Sequence, residues 1–327
     1  TTIQAAANVV VAGETVFVKT GTYREEITIK RSGASGQEIT FKANPGDKVI
    51  IDGEFTRNRG FLNDGRSYIV IEGFEIINTN QAGIYLINAA NYTTIRHCDI
   101  HHNVGSAILN RGGDFLLVEY NATRDNGQSG ITLNWRDTTL DFSESCIVRR
   151  NLSYNNGLDN PEAGDGISVS GGIDCIVEEN LCWGNIDDGI DVSGKTTRKP
   201  SIELSDIIAL ADGIDLSTDT PIPDGDGNGI KIGTNVGGSH VVHHNISFHN
   251  KRAGFDQDDL DSDSPRNQFY NNVAFDNGNL EGATVRAGFI FGGKNNEYKA
   301  ATVMNNIGWN NARSEERRVG KECRSRW

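Results

Sequence analysis

Three aspartates lie within five residues of one another in the stretch GNIDDGIDVSG: Asp187, Asp188 and Asp191. Carboxylates held this close repel one another, and without a partner some of them would have to take up a proton. A cation bound by several oxygen ligands would remove that cost. The spacing therefore raises the question of a metal site, and the answer depends on how the chain folds around these residues.

A repeated hexad indicates how the chain folds. Six segments have asparagine at both ends and mostly enclose an apolar, a small and an aromatic residue. They are NATRDN (121–126), NLSYNN (151–156), NLCWGN (180–185), NISFHN (245–250), NVAFDN (272–277) and NIGWNN (306–311), with a degenerate copy, DIIALA (206–211), in the long gap.

Each hexad lies between two β-rich apolar stretches, the second of which opens at a glycine, as in DGIDV and NGIKI. Where no loop is inserted the period is 23 to 25 residues, as from Gly166 to Gly189 and from Gly229 to Gly254. This period predicts the coils of a solenoid of parallel strands, because each coil can bury its apolar residues only against the next.

The opening of the chain is typical of the capped end of such a solenoid. The segment TIQAAANVV (2–10) predicts a short amphipathic helix, and residues 13–53 alternate apolar and polar residues with Gly and Pro turns. This opening resembles the start of right-handed parallel β-helix proteins of the pectate-lyase-like superfamily. The predicted fold class is therefore all-β: a right-handed parallel β-helix solenoid with an N-terminal capping helix. Residues 1–312 are predicted to form a single domain, with the cap and first strand in 1–20.

The asparagines of the hexads predict a ladder inside the turns, where each amide bonds its own backbone and its neighbours above and below. Four asparagines at or near the ladder, Asn91, Asn121, Asn151 and Asn245, also match the glycosylation pattern N-x-[ST]. We interpret them as ladder residues.

The formal net charge of −13 argues against a nucleic-acid partner. It also repels an acidic polymer at long range, so an acidic substrate would need a local bridge such as a cation. No apolar run approaches the roughly 18 residues of a membrane span. No signal-peptide pattern stands at Thr1, which predicts a mature or truncated product.

The last fifteen residues, RSEERRVGKECRSRW (313–327), differ abruptly in composition from the rest and carry six basic and three acidic groups. They resemble the translation of a sequencing-adapter read-through. We therefore expect a foreign tail that is not part of the fold.

The cysteines show no C-x2-C pairing of the kind that binds zinc. We interpret Cys98, Cys146, Cys175, Cys182 and Cys323 mainly as small apolar fillers. Cys146 and Cys175 precede equivalent Ile-Val pairs in successive repeats, so they could stack and even form a disulfide.

The coil register predicts that distant acids meet. Ile190 and Val192 point inward after the corner glycine, so Asp191 points outward. The same outward column contains Thr132, Ser168, Asp191, Lys231 and Asp256, and the positions before the corner glycine are Asp165, Asp188, Asn228 and Ala253.

Adjacent parallel strands lie about 4.8 Å apart, so Asp165 is expected beside Asp188, with Asp187 and Asp191 at the same corner. This cluster predicts a Ca²⁺ site, because Ca²⁺ tolerates irregular oxygen geometry better than Mg²⁺. Aspartate is also a common turn residue. Taken singly, Asp212, Asp224 and Asp226 are interpreted as turn residues, whereas alignment across coils favours metal binding for the cluster.

Lys231 stands one strand from Asp191 in the outward column, beside the predicted ion. A base next to a bound cation is what β-elimination from a uronic acid needs: the cation binds the sugar carboxylate and the base takes the C5 proton. The lysine must be neutral to act, and its free pKa is about 10.4. Nearby carboxylates raise this pKa and Ca²⁺ lowers it, so we expect an alkaline activity optimum.

These motifs resemble polysaccharide lyase family nine, the calcium-dependent pectate lyases on a right-handed β-helix. The matching segments are GDG (164–166), DDGID (187–191), GNGIKIG (227–233) and NKRAGFDQ (250–257), and the resemblance covers most of residues 1–312. It implies Asp165, Asp187, Asp188 and Asp191 as calcium ligands and Lys231 as the Brønsted base.

The resemblance further implies cleavage of pectate, an acidic plant cell-wall polysaccharide, into 4,5-unsaturated oligogalacturonides by a secreted enzyme. We expect a monomer. The coil register places three basic residues near the same face, where they could hold neighbouring sugar carboxylates. They are Arg252, Lys195 and Arg136.

Three alternatives remain open at this point. The first is a lyase for another uronic-acid polymer, such as rhamnogalacturonan. The second is a hydrolase of the polygalacturonase type, in which paired aspartates act as acid and base, although the NTDG, histidine-glycine and RIK-like segments of such enzymes are absent from the sequence. The third is a non-catalytic solenoid that binds a polysaccharide along one face.

Overall fold

The structure is a computed structural model that describes residues 2–134, 143–193, 201–233, 239–257, 267–280, 287–291 and 301–311. In this part of the chain, three strands recur in each coil, and equivalent strands of successive coils pair in parallel. They form three long parallel sheets, which we name A, B and C in the order in which a coil visits them. The predicted right-handed parallel β-helix is confirmed.

Sheet A has eleven strands among the described residues. They are Thr15–Val18, Ile39–Ala43, Ile69–Glu72, Thr93–Arg96, Leu117–Glu119, Ile147–Arg149, Cys175–Glu178, Ile202–Ser205, Val241–His243, Gln268–Tyr270 and Thr302–Met304.

Sheet B also has eleven strands in the described ranges. They are Gly21–Tyr23, Val49–Asp52, Glu75–Ile77, Asp99–His101, Ala122–Arg124, Leu152–Tyr154, Leu181–Trp183, Ile208–Leu210, Ile246–Phe248, Val273–Phe275 and Ile307–Trp309.

Sheet C has ten described strands. They are Ile27–Thr28, Arg59–Asp64, Ala82–Ile87, Ser106–Arg111, Ile131–Asn134, Ile167–Ser170, Ile190–Ser193, Ile230–Ile232, Ala253–Gln257 and Ala287–Phe291. The remaining elements are a helix (Ile3–Ala7), a 3₁₀ turn (Pro161–Ala163) and an antiparallel pair of two-residue strands, Ile214–Asp215 and Thr220–Pro221.

The core is a set of columns that run along the solenoid axis. In sheet A, each inward residue lies directly over its equivalent in the next coil, and burying each such side chain contributes about 1.5–3 kcal/mol. One fully buried column contains Ile71, Ile95, Val118, Val148, Val177, Leu204, Val242 and Phe269.

The two asparagines of each hexad belong to two different ladders, whereas the sequence predicts one. Its first asparagine follows the A-to-B corner, its middle residues form the sheet B strand, and its last asparagine follows the B-to-C corner. Asn121 Nδ2 donates to Asn151 Oδ1 at 3.0 Å, and Asn126 Nδ2 donates to Asn156 Oδ1 at 3.0 Å. Because Asn121, Asn151 and Asn245 are at most 1% exposed, the ladder interpretation holds for these three asparagines.

The degenerate hexad has a different register from the predicted one. Ile208 pairs with Leu181, so the ladder positions are Ile207 and Asp212, one residue later than in DIIALA. Asp212 Oδ1 accepts from Asn185 Nδ2 at 3.0 Å. Asp212 is therefore a ladder residue, and its interpretation as a simple turn aspartate is wrong.

The N-terminal helix closes the first coil and is shorter than predicted, ending at Ala7. Glu25 accepts from the backbone N–H groups of Ile3 and Gln4 at 2.8 and 2.9 Å, so it satisfies donors that a helix start leaves free. The Gln4 amide donates to the Thr28 carbonyl and accepts from the Thr28 N–H. It thereby covers the exposed edge of sheet C.

Cys98, Cys146, Cys175 and Cys182 are buried free thiols, which agrees with their interpretation as apolar fillers. Within the described residues, no helix has the length and apolar character needed to cross a membrane. Residues 313–327 lie outside the described residues, so the foreign-tail and domain-boundary assignments stay predictions.

Candidate active site

The candidate site lies at the start of three neighbouring strands of sheet C. The register pairs Ser168 with Asp191 and Asp191 with Lys231, as the outward column predicts. A Cβ atom on Gly189 would lie 2.6 Å from the carbonyl oxygen of Gly229. Only glycine therefore lets the coils stack this closely beside Asp188.

Three carboxylates meet at the corner between sheets B and C. One oxygen from each of Asp165, Asp187 and Asp188 can be chosen so that all three lie within 4.8 Å of one another. Asp165 comes from the preceding coil, and its Oδ1 accepts from the backbone N–H of Asp188 at 3.3 Å. Asp191 lies on the same face, where its charge adds to desolvation in raising the pKa of Asp165.

Burial makes this cluster unfavourable without a cation. Asp188 is fully buried, and Asp165 and Asp187 are 4% and 9% exposed. Desolvation, with repulsion from Asp188, raises the pKa of Asp187 to about 7. Desolvation also raises the pKa of Asp191 to about 7 against the opposing effect of Lys231. The same burial raises the pKa of Asp165 and Asp188.

Two buried oxygens at the site make no hydrogen bond to described residues: Asp188 Oδ2, whose nearest cation is Lys231 Nζ at 3.3 Å, and Asp191 Oδ1. The other oxygen of Asp188 accepts from Asn228 N and Nδ2 at 2.7 and 2.9 Å, which fixes the carboxylate plane. A set of oxygen ligands, some of them buried without a hydrogen-bond donor, is the donor set that Ca²⁺ prefers. The residues present therefore fit a calcium ion.

Lys231 lies at the rim of the cluster, with its side chain 14% exposed. Its Nζ lies 3.3 Å from Asp188 Oδ2 and 2.8 Å from Asp226 Oδ2. Although desolvation lowers the pKa of Lys231, attraction to Asp188, Asp191 and Asp226 outweighs it and raises the pKa above its usual range. In the absence of metal the amine is thus held as an ammonium.

Comparison with known proteins identifies the family. The sequence model of the family described as "Pel9A-like, right handed beta helix region" matches residues 1–286. The chain belongs to this family.

Two curated relatives of this Pel9A-like chain are pectate lyases. Pectate lyase PEL9 of Emericella nidulans is 28% identical over 94% of the chain and 73% of the relative. Pectate lyase L of Paenibacillus polymyxa is 25% identical over 88% of the chain and 62% of the relative. These relatives support the predicted enzyme class, a polysaccharide lyase.

The crystal structure of pectate lyase Pel9A superposes on this Pel9A-like chain with a TM-score of 0.57 and 21% identity. The match covers 92% of this chain and 71% of that structure. At this identity the likeness shows the shared fold alone.

Of the basic residues predicted to hold substrate, the structure describes only Arg252. Its guanidinium forms an ion pair with Asp226 and lies at the same rim as Lys231. Lys195 and Arg136 lie outside the described residues.

Sequence reasoning missed two residues of the site. The sequence predicts a turn role for Asp226, yet its carboxylate bridges Lys231 and Arg252. The sequence places Asn228 before the corner glycine without indicating a role, and in the structure it orients the Asp188 carboxylate. The available signal was their position in GDGNGIKIG, within five residues of Lys231.

Proposed function

We propose that this chain is a calcium-dependent pectate lyase that cleaves polygalacturonate by β-elimination, with Lys231 as the Brønsted base. The observation that supports it most is the position of Lys231 Nζ, 3.3 Å from Asp188 Oδ2 at the rim of a buried carboxylate cluster. The names of the two curated relatives support the choice of pectate.

Asp165, Asp187, Asp188 and Asp191 are the residues that would hold the ion. A calcium ion bound there supplies positive charge that pairs with a uronate carboxylate and acidifies the proton on the adjacent carbon. Asn228 keeps the Asp188 carboxylate in one orientation through two hydrogen bonds, so the ligand set is arranged before substrate arrives.

The proton transfer falls to Lys231. In its neutral form, Nζ accepts the C5 proton, the electron pair forms the C4–C5 double bond, and the glycosidic oxygen leaves from C4. The surrounding carboxylates raise the pKa of Lys231, which opposes formation of the neutral amine. We therefore expect activity to rise with pH into the alkaline range.

The proposal also includes the location, the oligomeric state and the substrate-binding residues of the enzyme. The enzyme acts as a secreted monomer on acidic plant cell-wall polysaccharide, and Arg252, Lys195 and Arg136 hold neighbouring sugar carboxylates. The formal charge of −13 opposes the approach of such a polymer, so local cations on this face matter for binding.

The test is formation of unsaturated product from polygalacturonate, followed by the ultraviolet absorbance of the new double bond. We expect product with calcium, none with chelator, and a loss of about 10²- to 10⁴-fold for Lys231→Ala. Lys30→Ala, an exposed lysine at the N-terminal end, is the matched control and should keep full activity. Calcium binding should survive in Lys231→Ala, because this lysine is not a ligand.

Two other outcomes would replace the proposal. New reducing ends without the double bond would indicate hydrolysis. Unsaturated product from rhamnogalacturonan but not from polygalacturonate would keep the mechanism and change the polymer.

A further inference from the structure

Asp226 contacts three parts of the candidate site: Lys231, Arg252 and the aspartate cluster. Its Oδ2 accepts from Lys231 Nζ at 2.8 Å, and its Oδ1 pairs with the Arg252 guanidinium. Its backbone N–H donates to Asp187 Oδ1. Both carboxylate oxygens therefore face cations, and the residue meets the acidic cluster only through its main chain.

The segment that carries Asp226 is fastened by the residue next to Arg252. Lys251, which is 8% exposed, donates from Nζ to the backbone carbonyls of Gly225 and Asp224 at 2.6 and 3.2 Å. A Cβ atom on Gly227 would lie 2.7 Å from Lys251 Cβ, so glycine is needed for this close approach. Lys251 and Arg252 together hold residues 224–227 against the sheet C face.

We propose that Asp226 is a positioning residue for Lys231. Its carboxylate ties Lys231 Nζ to Arg252 and so keeps the amine at one place beside the aspartate cluster. This inference rests on the proposed function of Lys231 as the base. It assigns Asp226, on the inserted segment, a role in the reaction that needs no contact with the substrate.

The physical reason is the flexibility of lysine. Its four-carbon stem has many rotamers, whereas proton abstraction requires Nζ at a fixed distance from the reacting carbon. Asp188 alone offers one contact at 3.3 Å and is itself a proposed metal ligand. Asp226 offers a second, shorter contact that does not depend on the metal, and Arg252 prevents its carboxylate from rotating away.

The kinetic test compares Asp226→Ala, Arg252→Ala and the double variant on polygalacturonate at saturating calcium. Because loss of the Asp226 carboxylate also removes an attraction that raises the pKa of Lys231, kcat is compared at the optimum pH of each variant. There we expect Asp226→Ala to lower kcat at least tenfold while KM and calcium affinity change less than threefold. Because Arg252 is also proposed to hold a sugar carboxylate, its loss should raise KM in the single and the double variant. The double variant should nevertheless lose no more kcat than Asp226→Ala, because the effect of Arg252 on Lys231 passes through the lost carboxylate. Asp226→Glu should recover part of the activity. Asp224→Ala removes the same charge from the same segment and should leave kcat unchanged.

The proposal is overturned if kcat of Asp226→Ala stays within twofold of wild type, or if its loss merely adds to that of Arg252→Ala. Asp226→Asn, which keeps the side-chain volume, replaces Asp226→Ala should that variant fail to fold, and the same limits apply to it.

A readout without activity separates this proposal from the proposed function. In spectra of ¹⁵N-lysine-labelled protein, a hydrogen-bonded Lys231 ammonium should give a signal with slow proton exchange, which Lys231→Arg identifies by its loss. We expect Asp226→Ala to broaden or remove that signal. If wild type makes no unsaturated product but the signal depends on Asp226, the lyase proposal alone fails. If the signal is unchanged in Asp226→Ala, the positioning role fails.

Discussion

At the scale of single residues, the site contains buried carboxylates that repel one another. Asp165, Asp187 and Asp188 are buried together, and the Lys231 ammonium lies within ion-pair distance of Asp188 alone among these three. Repulsion and desolvation both favour protonated carboxyls. The proposed calcium ion would relieve both the repulsion and the desolvation, and would therefore couple the stability of this region to metal and to pH.

The first prediction concerns that coupling. The pKa values of about 7 for Asp187 and Asp191 lie above the value of roughly 3.9 for an unfolded aspartate. The folded, metal-free protein therefore binds more protons than the unfolded chain between these values. Its stability is fully present below pH ~4 and is lost as the pH rises through ~7. A shift of roughly three pKa units corresponds to about 4 kcal/mol, and because the two groups interact, the loss belongs to the pair and not to either carboxyl alone.

Thermal unfolding in chelator at pH 5 and pH 8 measures this loss, and added calcium should abolish most of it. The control is Asp191→Asn, which removes one of the titrating groups and should show a smaller loss in chelator. Identical pH dependence with chelator and with calcium would count against a metal site at this corner.

At the scale of elements, the ladder at the B-to-C corner has one exceptional member. Asp212 takes the place of an asparagine between Asn185 and Asn250, accepting from Asn185 Nδ2 while its own N–H donates to Asn250 Oδ1. Its Oδ2 is buried and makes no hydrogen bond to described residues. Desolvation raises the pKa of Asp212 well above its usual range, so burial favours the protonated acid at this position.

The corresponding prediction is that Asp212→Asn stabilises the protein. An amide supplies the donor that other ladder members have and carries no charge, so we expect a gain of about 1–3 kcal/mol. The folded-state pKa of Asp212 is raised, so the cost of the native aspartate grows above pH ~4, and the gain should be larger at pH 8 than at pH 5. Denaturant unfolding measures it, with Asn185→Asp as the reciprocal control, which should destabilise. A neutral or destabilising Asp212→Asn would contradict this account of the ladder.

At the scale of the whole molecule, each coil contacts only its neighbours, so stability is a sum of local interfaces. The proposed calcium ligands lie on two consecutive coils, and Lys231 and Arg252 lie on the next two. Metal binding should therefore stabilise a few coils in the second half of the chain and leave the N-terminal coils unaffected.

Hydrogen exchange tests this locality. We expect calcium to slow amide exchange in residues 164–193 and 224–233, and to leave residues 15–111 unchanged. The N-terminal strands act as the internal control within the same sample. Uniform protection along the solenoid would indicate global stabilisation instead of a local site.

The solenoid and its register followed from the sequence, because identical environments in successive coils select similar residues at a fixed period. The hexads and corner glycines by themselves align Asp165, Asp188, Asp191 and Lys231. Side-chain type and period carry this information, since parallel strands stack equivalent residues one above another.

Only the tertiary structure shows the contacts of residues that deviate from the repeat. Asp226 comes from an inserted segment outside the repeat, so the period of the repeat could not predict its contacts with Lys231 and Arg252. The ladder role of Asp212 was hidden because its hexad lacks asparagine and its register shifts by one residue. Contacts made by insertions depend on packing in three dimensions, whereas the residue spacing of the repeat predicts the contacts between its coils.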